Sequence, residues 1–165
     1  MSKLMALSIS TGIICGVWAY FSGMVGLMAW LGFAGCTTYF ASGKTGREGL
    51  SLTLRQNMFG VLCGTAIIFL VDFFPFESSL LLFSGLITFV MCIAGHSKYL
   101  SFIPGTFVGS FSTFAAGGLS LALVISLIIG AFMGLACERG GGWLYNSTTG
   151  KKVKDIEMES VEDLL

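Results

Sequence analysis

Ionisable side chains are scarce in this sequence, and its long apolar runs are nearly free of them. Charged residues make up 11% of 165 positions, against about 25% in an ordinary soluble domain. There is one histidine, His96, beside Lys98. A zinc-protease helix needs HExxH and a serine triad needs a histidine near an acid, so neither chemistry fits and the chain reads as a non-enzyme. Five cysteines (Cys15, Cys36, Cys63, Cys92, Cys137) form no CxxC pair. That spacing argues against a disulfide framework or a metal centre and favours small packing residues, with no cofactor expected. Net charge is zero, so nothing points to nucleic acid. Gly43-Lys44-Thr45 resembles the end of a phosphate loop, but Thr38 stands where the pattern needs glycine.

What is present is apolar. The chain is 55% hydrophobic with a mean hydropathy of +0.87. Six stretches read as membrane spans, roughly 4–22, 24–41, 54–71, 78–95, 99–116 and 119–137. A helix of 18 residues covers about 27 Å of a hydrocarbon core about 30 Å thick. The third stretch is the weakest, because Arg55, Gln56 and Asn57 stand at its start; Arg55 is placed to snorkel. The first lacks the small-residue cleavage site of a signal peptide. The expected fold is therefore an all-α integral membrane protein, with a six-helix domain over 1–142 and a cytoplasmic tail over 143–165.

The nine bases fall on one side of this arrangement. Lys3 precedes the first stretch, Lys44, Arg47 and Arg55 lie between or at the edge of the second and third, and Lys98 joins the fourth and fifth. Arg139, Lys151, Lys152 and Lys154 follow the sixth, while the other connections hold only Asp72 and Glu77 as charges. Basic connections stay cytoplasmic, which places both termini in the cytoplasm. The sequon Asn146-Ser147-Thr148 is inert there, and His96 reads as a solvated side chain. The five acids from Asp155 to Leu165, interleaved with apolar residues, read as a solvated or partner-docking tail.

The two halves of the chain repeat each other. At an offset of 74, Phe33, Gly35, Phe40, Ala41 and Gly43 match Phe107, Gly109, Phe114, Ala115 and Gly117. After a four-residue gap, Gly60 and Gly64 match Gly130 and Gly134. Three spans per half make the second half enter from the opposite face, giving a 3+3 inverted repeat, an architecture frequent among channels and transporters. Fold alone does not fix function.

Helical spacing gives spans two and five one small or hydroxyl-bearing face each. The candidate lining residues are Cys36, Thr37, Thr38, Tyr39 and Phe40 on span two, and Pro104, Thr106, Ser110, Ser112, Thr113 and Phe114 on span five. Two readings stand side by side: close helix packing through small residues, or a narrow path whose hydroxyls and backbone carbonyls meet a solute. Pro104 either starts span five or breaks a helix begun near Tyr99. The phenylalanines of these spans either constrict a pore or pack outward. Between span ends there is no acid or base beyond Arg55, which argues against a proton-coupled pump or a charged-ring channel.

The segments Trp30-Leu31-Gly32-Phe33-Ala34-Gly35-Cys36-Thr37-Thr38-Tyr39-Phe40-Ala41 and Phe102-Ile103-Pro104-Gly105-Thr106-Phe107-Val108-Gly109, with Ser112-Thr113-Phe114-Ala115 after them, carry a resemblance. The chain resembles the YcdZ-like family of bacterial inner membrane proteins over roughly residues 4–142, and the tail from Gly150 onward is outside it. The resemblance implies a multi-span protein of the bacterial inner membrane and supplies no substrate. The function expected is a channel or facilitator for a small neutral or weakly polar solute, working as a homo-oligomer in the lipid bilayer. The alternative is a non-transporting scaffold that binds a cytoplasmic partner through its tail.

Overall fold

The structure, a computed structural model, describes the backbone of residues 1–162 and the side chains of residues 1–149. The side chains of the acidic stretch from Asp155 to Leu165 therefore lie outside the described residues. Six helices follow one another: α1 Lys3–Phe21, α2 Ala29–Ala41, α3 Gly46–Phe73, α4 Ser79–Ala94, α5 Ile103–Ala115 and α6 Leu121–Glu162, with a short 3-10 turn at Gly23–Val25. This is an all-α membrane protein. Helices satisfy their own backbone groups, which the bilayer interior cannot do for them.

Among the described residues, three stretches are long and apolar enough to cross a membrane alone: Lys3–Val25, Gly46–Phe73 and Leu121–Thr149. The apolar α4 has 16 residues, about 24 Å of rise. The second and fifth stretches depart most from expectation. Each contains a helix of only 13 residues, about 20 Å long, rather than one running over 24–41 or 99–116. Ahead of α2, the chain spends Gly23–Val25 on the 3-10 turn and takes a left-handed conformation at Gly26, φ 70°. Ahead of α5, residues 95–102 are turns and extended chain, and Pro104 occupies the first turn of the helix. Pro104 thus starts α5; no helix begun near Tyr99 exists for it to break.

The third helix begins at Gly46, eight residues before the expected start at 54. Gln56 and Asn57 consequently lie about three turns inside α3 rather than at its edge. The sixth runs through residue 142 without interruption.

Packing is organised by glycine. A Cβ on Gly60 would strike the carbonyl oxygen of Thr106, and one on Gly109 would strike that of Asn57. These contacts bring α3 and α5 together side by side, running parallel. At offsets of 70 and 74 the same pair of contacts recurs between α6 and α2: Gly130 abuts the Gly32 carbonyl, and Gly35 abuts the Leu127 carbonyl. Small residues let helix backbones approach closely in an apolar medium. The two short helices also end alike. Ser42 and Ala116 donate to the carbonyls of Thr38 and Ser112, both at 3.0 Å, before left-handed glycines at Gly43 (φ 66°) and Gly117 (φ 76°). Glycine closes both helices because φ in that region costs it no Cβ clash.

The α2–α6 side is apolar. Trp18, Cys36, Met133 and Cys137 form one buried cluster, with Cys15 against it, and Leu31, Val61, Leu123 and Leu127 form another at the centre. The indole N–H of Trp18 donates to the Ala29 carbonyl at 2.8 Å, anchoring the start of α2.

Candidate functional site

A polar seam lies where α3 and α5 meet, with α2 alongside. Thr53, Gln56 and Asn57 of α3 and Thr106, Ser112 and Thr113 of α5 are essentially fully buried, and so is Thr38 of α2. The Thr106 hydroxyl donates to Oε1 of Gln56 at 2.6 Å. Thr113 and Thr38 turn their hydroxyls back onto carbonyls one turn earlier, Gly109 and Ala34, each at 3.0 Å. A Cβ on Gly105 would meet both Gln56 and Thr38, so the three helices converge at that level.

Several of these groups have no protein partner. Nε2 of Gln56, Nδ2 and Oδ1 of Asn57, and the hydroxyls of Thr53 and Ser112 are buried without a hydrogen bond. A buried polar group left unpaired costs roughly 1–3 kcal/mol. Packing does not require them. At the equivalent places of the other half, Thr53 and Asn57 correspond to Leu123 and Leu127, and both leucines are fully buried. Gln56 corresponds to Ser126, whose hydroxyl accepts the Met28 N–H at 3.1 Å. α6 therefore holds two leucines and a satisfied serine where α3 holds two carboxamides with orphaned groups and one orphaned hydroxyl.

The candidate residues read from the sequence separate into two sets. Cys36, Thr38, Tyr39, Thr106, Ser110, Ser112 and Thr113 are buried. Thr37, Phe40, Pro104 and Phe114 are exposed on the outside of the chain. Phe33, Phe107 and Phe111 are also exposed. The two short helices thus present small and hydroxyl-bearing residues inward and an aromatic stripe outward.

Glu138 escapes a reading of the sequence. Its carboxylate accepts hydrogen bonds from the Tyr39 hydroxyl and from the Gly46 N–H, the latter at 3.0 Å. Gly46 opens α3, so an anion rests at a helix N-terminus, where the backbone dipole favours it. Glu138 also lines a cavity of about 540 Å³ with Lys3, Thr45, Tyr145 and Asn146. The one sequence signal is an acid just beyond the sixth apolar stretch, beside Arg139.

Residues 8–142 match the family described as a protein of unknown function, DUF1097. The chain belongs to that family. It is 37% identical over 145 residues to the inner membrane protein YcdZ of Escherichia coli K12, covering 87% of this chain and 89% of that one. The inner membrane protein YcdZ of Salmonella typhimurium LT2 is 36% identical over 145 residues, with 87% and 91% covered. An uncharacterized protein of Escherichia coli K12, YahC, is 30% identical over 161 residues, with 90% and 97% covered. No solved structure matches.

Proposed function

We propose that the protein is a passive facilitator for a small, neutral, hydrogen-bonding solute across the bacterial inner membrane, and that the α3–α5 seam is where the solute is held. The carrying observation is the set of orphaned groups on Gln56, Asn57, Thr53 and Ser112; at the places of Thr53, Gln56 and Asn57 the other half of the fold holds Leu123, a bonded Ser126 and Leu127. Unpaired donors and acceptors at membrane depth are tolerated against a solute or water path. Along the seam, the buried polar side chains carry hydroxyls and carboxamides only. A seam of both donors and acceptors without fixed charge matches a neutral solute that carries both, such as an amide, urea or a short alcohol. The absence of an ionisable group along it favours passive movement over proton coupling.

In this reading the chain crosses six times, with both termini cytoplasmic and the halves inverted. Two relations support it. The glycine contacts of α3 with α5 recur between α6 and α2 at constant offsets. The parallel course of α2 with α6, and of α3 with α5, is the one an alternating six-crossing chain requires. The stripe of Phe33, Phe40, Phe107 and Phe114 on the protomer surface faces lipid or a second copy in a homo-oligomer.

The test is stopped-flow swelling of proteoliposomes against urea, acetamide, glycerol and a charged control such as formate. Faster entry of at least one neutral solute than into empty liposomes, with no gain for formate, is expected. Permeabilities equal to those of empty liposomes for every solute would overturn the reading.

A further inference from the structure

A second site lies outside the seam, at the end of the protein where the bases collect. Lys44, Glu48, Leu52, Arg55, Lys98 and Ser101 line a cavity of about 290 Å³. Its three bases come from three separate segments: the α2–α3 connection, the third turn of α3, and the α4–α5 connection. Lys44 pairs with Glu48 at 2.9 Å. Arg55 and Lys98 have no carboxylate partner among the described residues. Arg55 is nevertheless held in place. Its Nε donates to the Ser51 carbonyl at 3.1 Å, and its guanidinium lies over the Tyr99 ring, 5.5 Å from the centroid. That leaves the fork of its two terminal nitrogens oriented and unpaired. A fixed guanidinium fork suits a two-oxygen anion, and a lysine adds a point charge.

We infer that this cavity binds a phosphate group, gripped by Arg55 and Lys98 with the Ser101 hydroxyl beside them. Cytoplasmic bases near span ends are expected for orientation alone, but orientation does not require bases from distant segments to share one cavity around an arginine whose Nε and ring contact are already taken. Arg47, in the first turn of α3, is exposed and outside the cavity; it serves as an internal comparison. At a membrane surface the phosphate belongs either to an anionic lipid headgroup or to a soluble anion. Both have the same chemistry. The site does not depend on whether the protein transports a solute.

The experiment uses the full chain in a neutral detergent. One arm measures, by native mass spectrometry, retention of phosphatidylglycerol against phosphatidylcholine. The other measures thermal stabilisation by inorganic phosphate against chloride at equal ionic strength. Preference for phosphate in at least one arm is expected, weakened about tenfold by Arg55→Gln and by Lys98→Gln and left unchanged by Arg47→Gln, since a charge-assisted hydrogen bond is lost only in the first two. A signal confined to the lipid arm assigns a headgroup, and one confined to the phosphate arm assigns a soluble anion. Should Arg55→Gln fail to fold, Lys98→Gln carries the test, because Lys98 stands on a connection. No preference in either arm, or equal weakening by Arg47→Gln, would overturn the site.

Discussion

Thr106 of α5 and Gln56 of α3, fifty positions apart in sequence, are joined by a buried hydrogen bond of 2.6 Å, while the other end of the same carboxamide has no partner. The bond fixes which way the Gln56 amide points and leaves its NH₂ group to be used. If that group contacts the solute, Gln56→Leu and Asn57→Leu should lower neutral-solute flux by about tenfold or more, the scale of one or two lost hydrogen bonds. Folded yield and thermal midpoint should hold for Asn57→Leu, because Leu127 occupies the corresponding place, fully buried. Unchanged flux with an unchanged fold would remove the seam from the solute path.

The glycine contacts predict a symmetric pattern of damage. Gly60→Ala drives a methyl into the Thr106 carbonyl, and Gly130→Ala drives one into the Gly32 carbonyl. Neither neighbour is a flexible side-chain tip, so both variants should lose about 1–3 kcal/mol or more through overpacking. Gly85→Ala meets nothing nearby and should be neutral or slightly stabilising, since alanine favours helix. Unfolding in mixed detergent–SDS micelles measures all three. A strong effect at Gly60 with none at Gly130 would separate the two helix pairs mechanically.

Much of this is legible in the sequence, and what is not has identifiable physical causes. The offset of 74 that aligns Phe33 with Phe107 also relates Gly43 to Gly117, and those glycines do close α2 and α5. Helix length was not legible. Gly23-Met24-Val25-Gly26 is as apolar as a helical turn, and hydropathy cannot distinguish a 3-10 turn from a span. Conversely, Gly46 to Arg55 is polar enough to read as a connection, yet it forms the first turns of α3. That single shift puts Gln56 and Asn57 about three turns inside α3 rather than at its edge, which hid the seam's principal amides. Glu138 is not legible because it lies one residue past the sixth apolar stretch, and its partners Tyr39 and Gly46 are remote in sequence.

Glu138 predicts a coupled pair. Glu138→Ala strips the acceptor from both the Gly46 N–H and the Tyr39 hydroxyl, and hydrogen bonds to charged groups are worth about 1.5–3 kcal/mol each. Tyr39→Phe removes one of the two. The double variant should be less destabilised than the sum of the singles, with a coupling of about 0.5–3 kcal/mol in a double-mutant cycle. Strict additivity would show that the Tyr39–Glu138 bond carries no stability.

Removing the tail separates the transport reading from the scaffold reading. A chain ending at Gly142 keeps every residue of the seam. If the seam carries flux, the truncated protein should conduct in proteoliposomes within about twofold of the full chain, because its solute contacts are unaltered. Loss of flux in a truncated protein that still elutes as a folded species would tie conduction to residues 143–165 instead.

Sidedness is testable from two contacts between distant parts of the chain. The Lys3 ammonium lies over the Tyr145 ring, 5.5 Å from its centroid, which brings the N-terminus beside α6 just past its apolar stretch. Lys44 and Lys98 share one cavity, which brings the α2–α3 and α4–α5 connections together. All four segments carry bases, so the charge bias directs them to one face. In a background with the native cysteines replaced, Ser2→Cys and Ser97→Cys should react with a membrane-impermeant maleimide only in inverted inner-membrane vesicles, and Glu77→Cys only in intact spheroplasts. Labelling of Ser97→Cys in spheroplasts would put the α4–α5 connection outside, and a chain with that connection outside cannot cross six times with both ends in the cytoplasm.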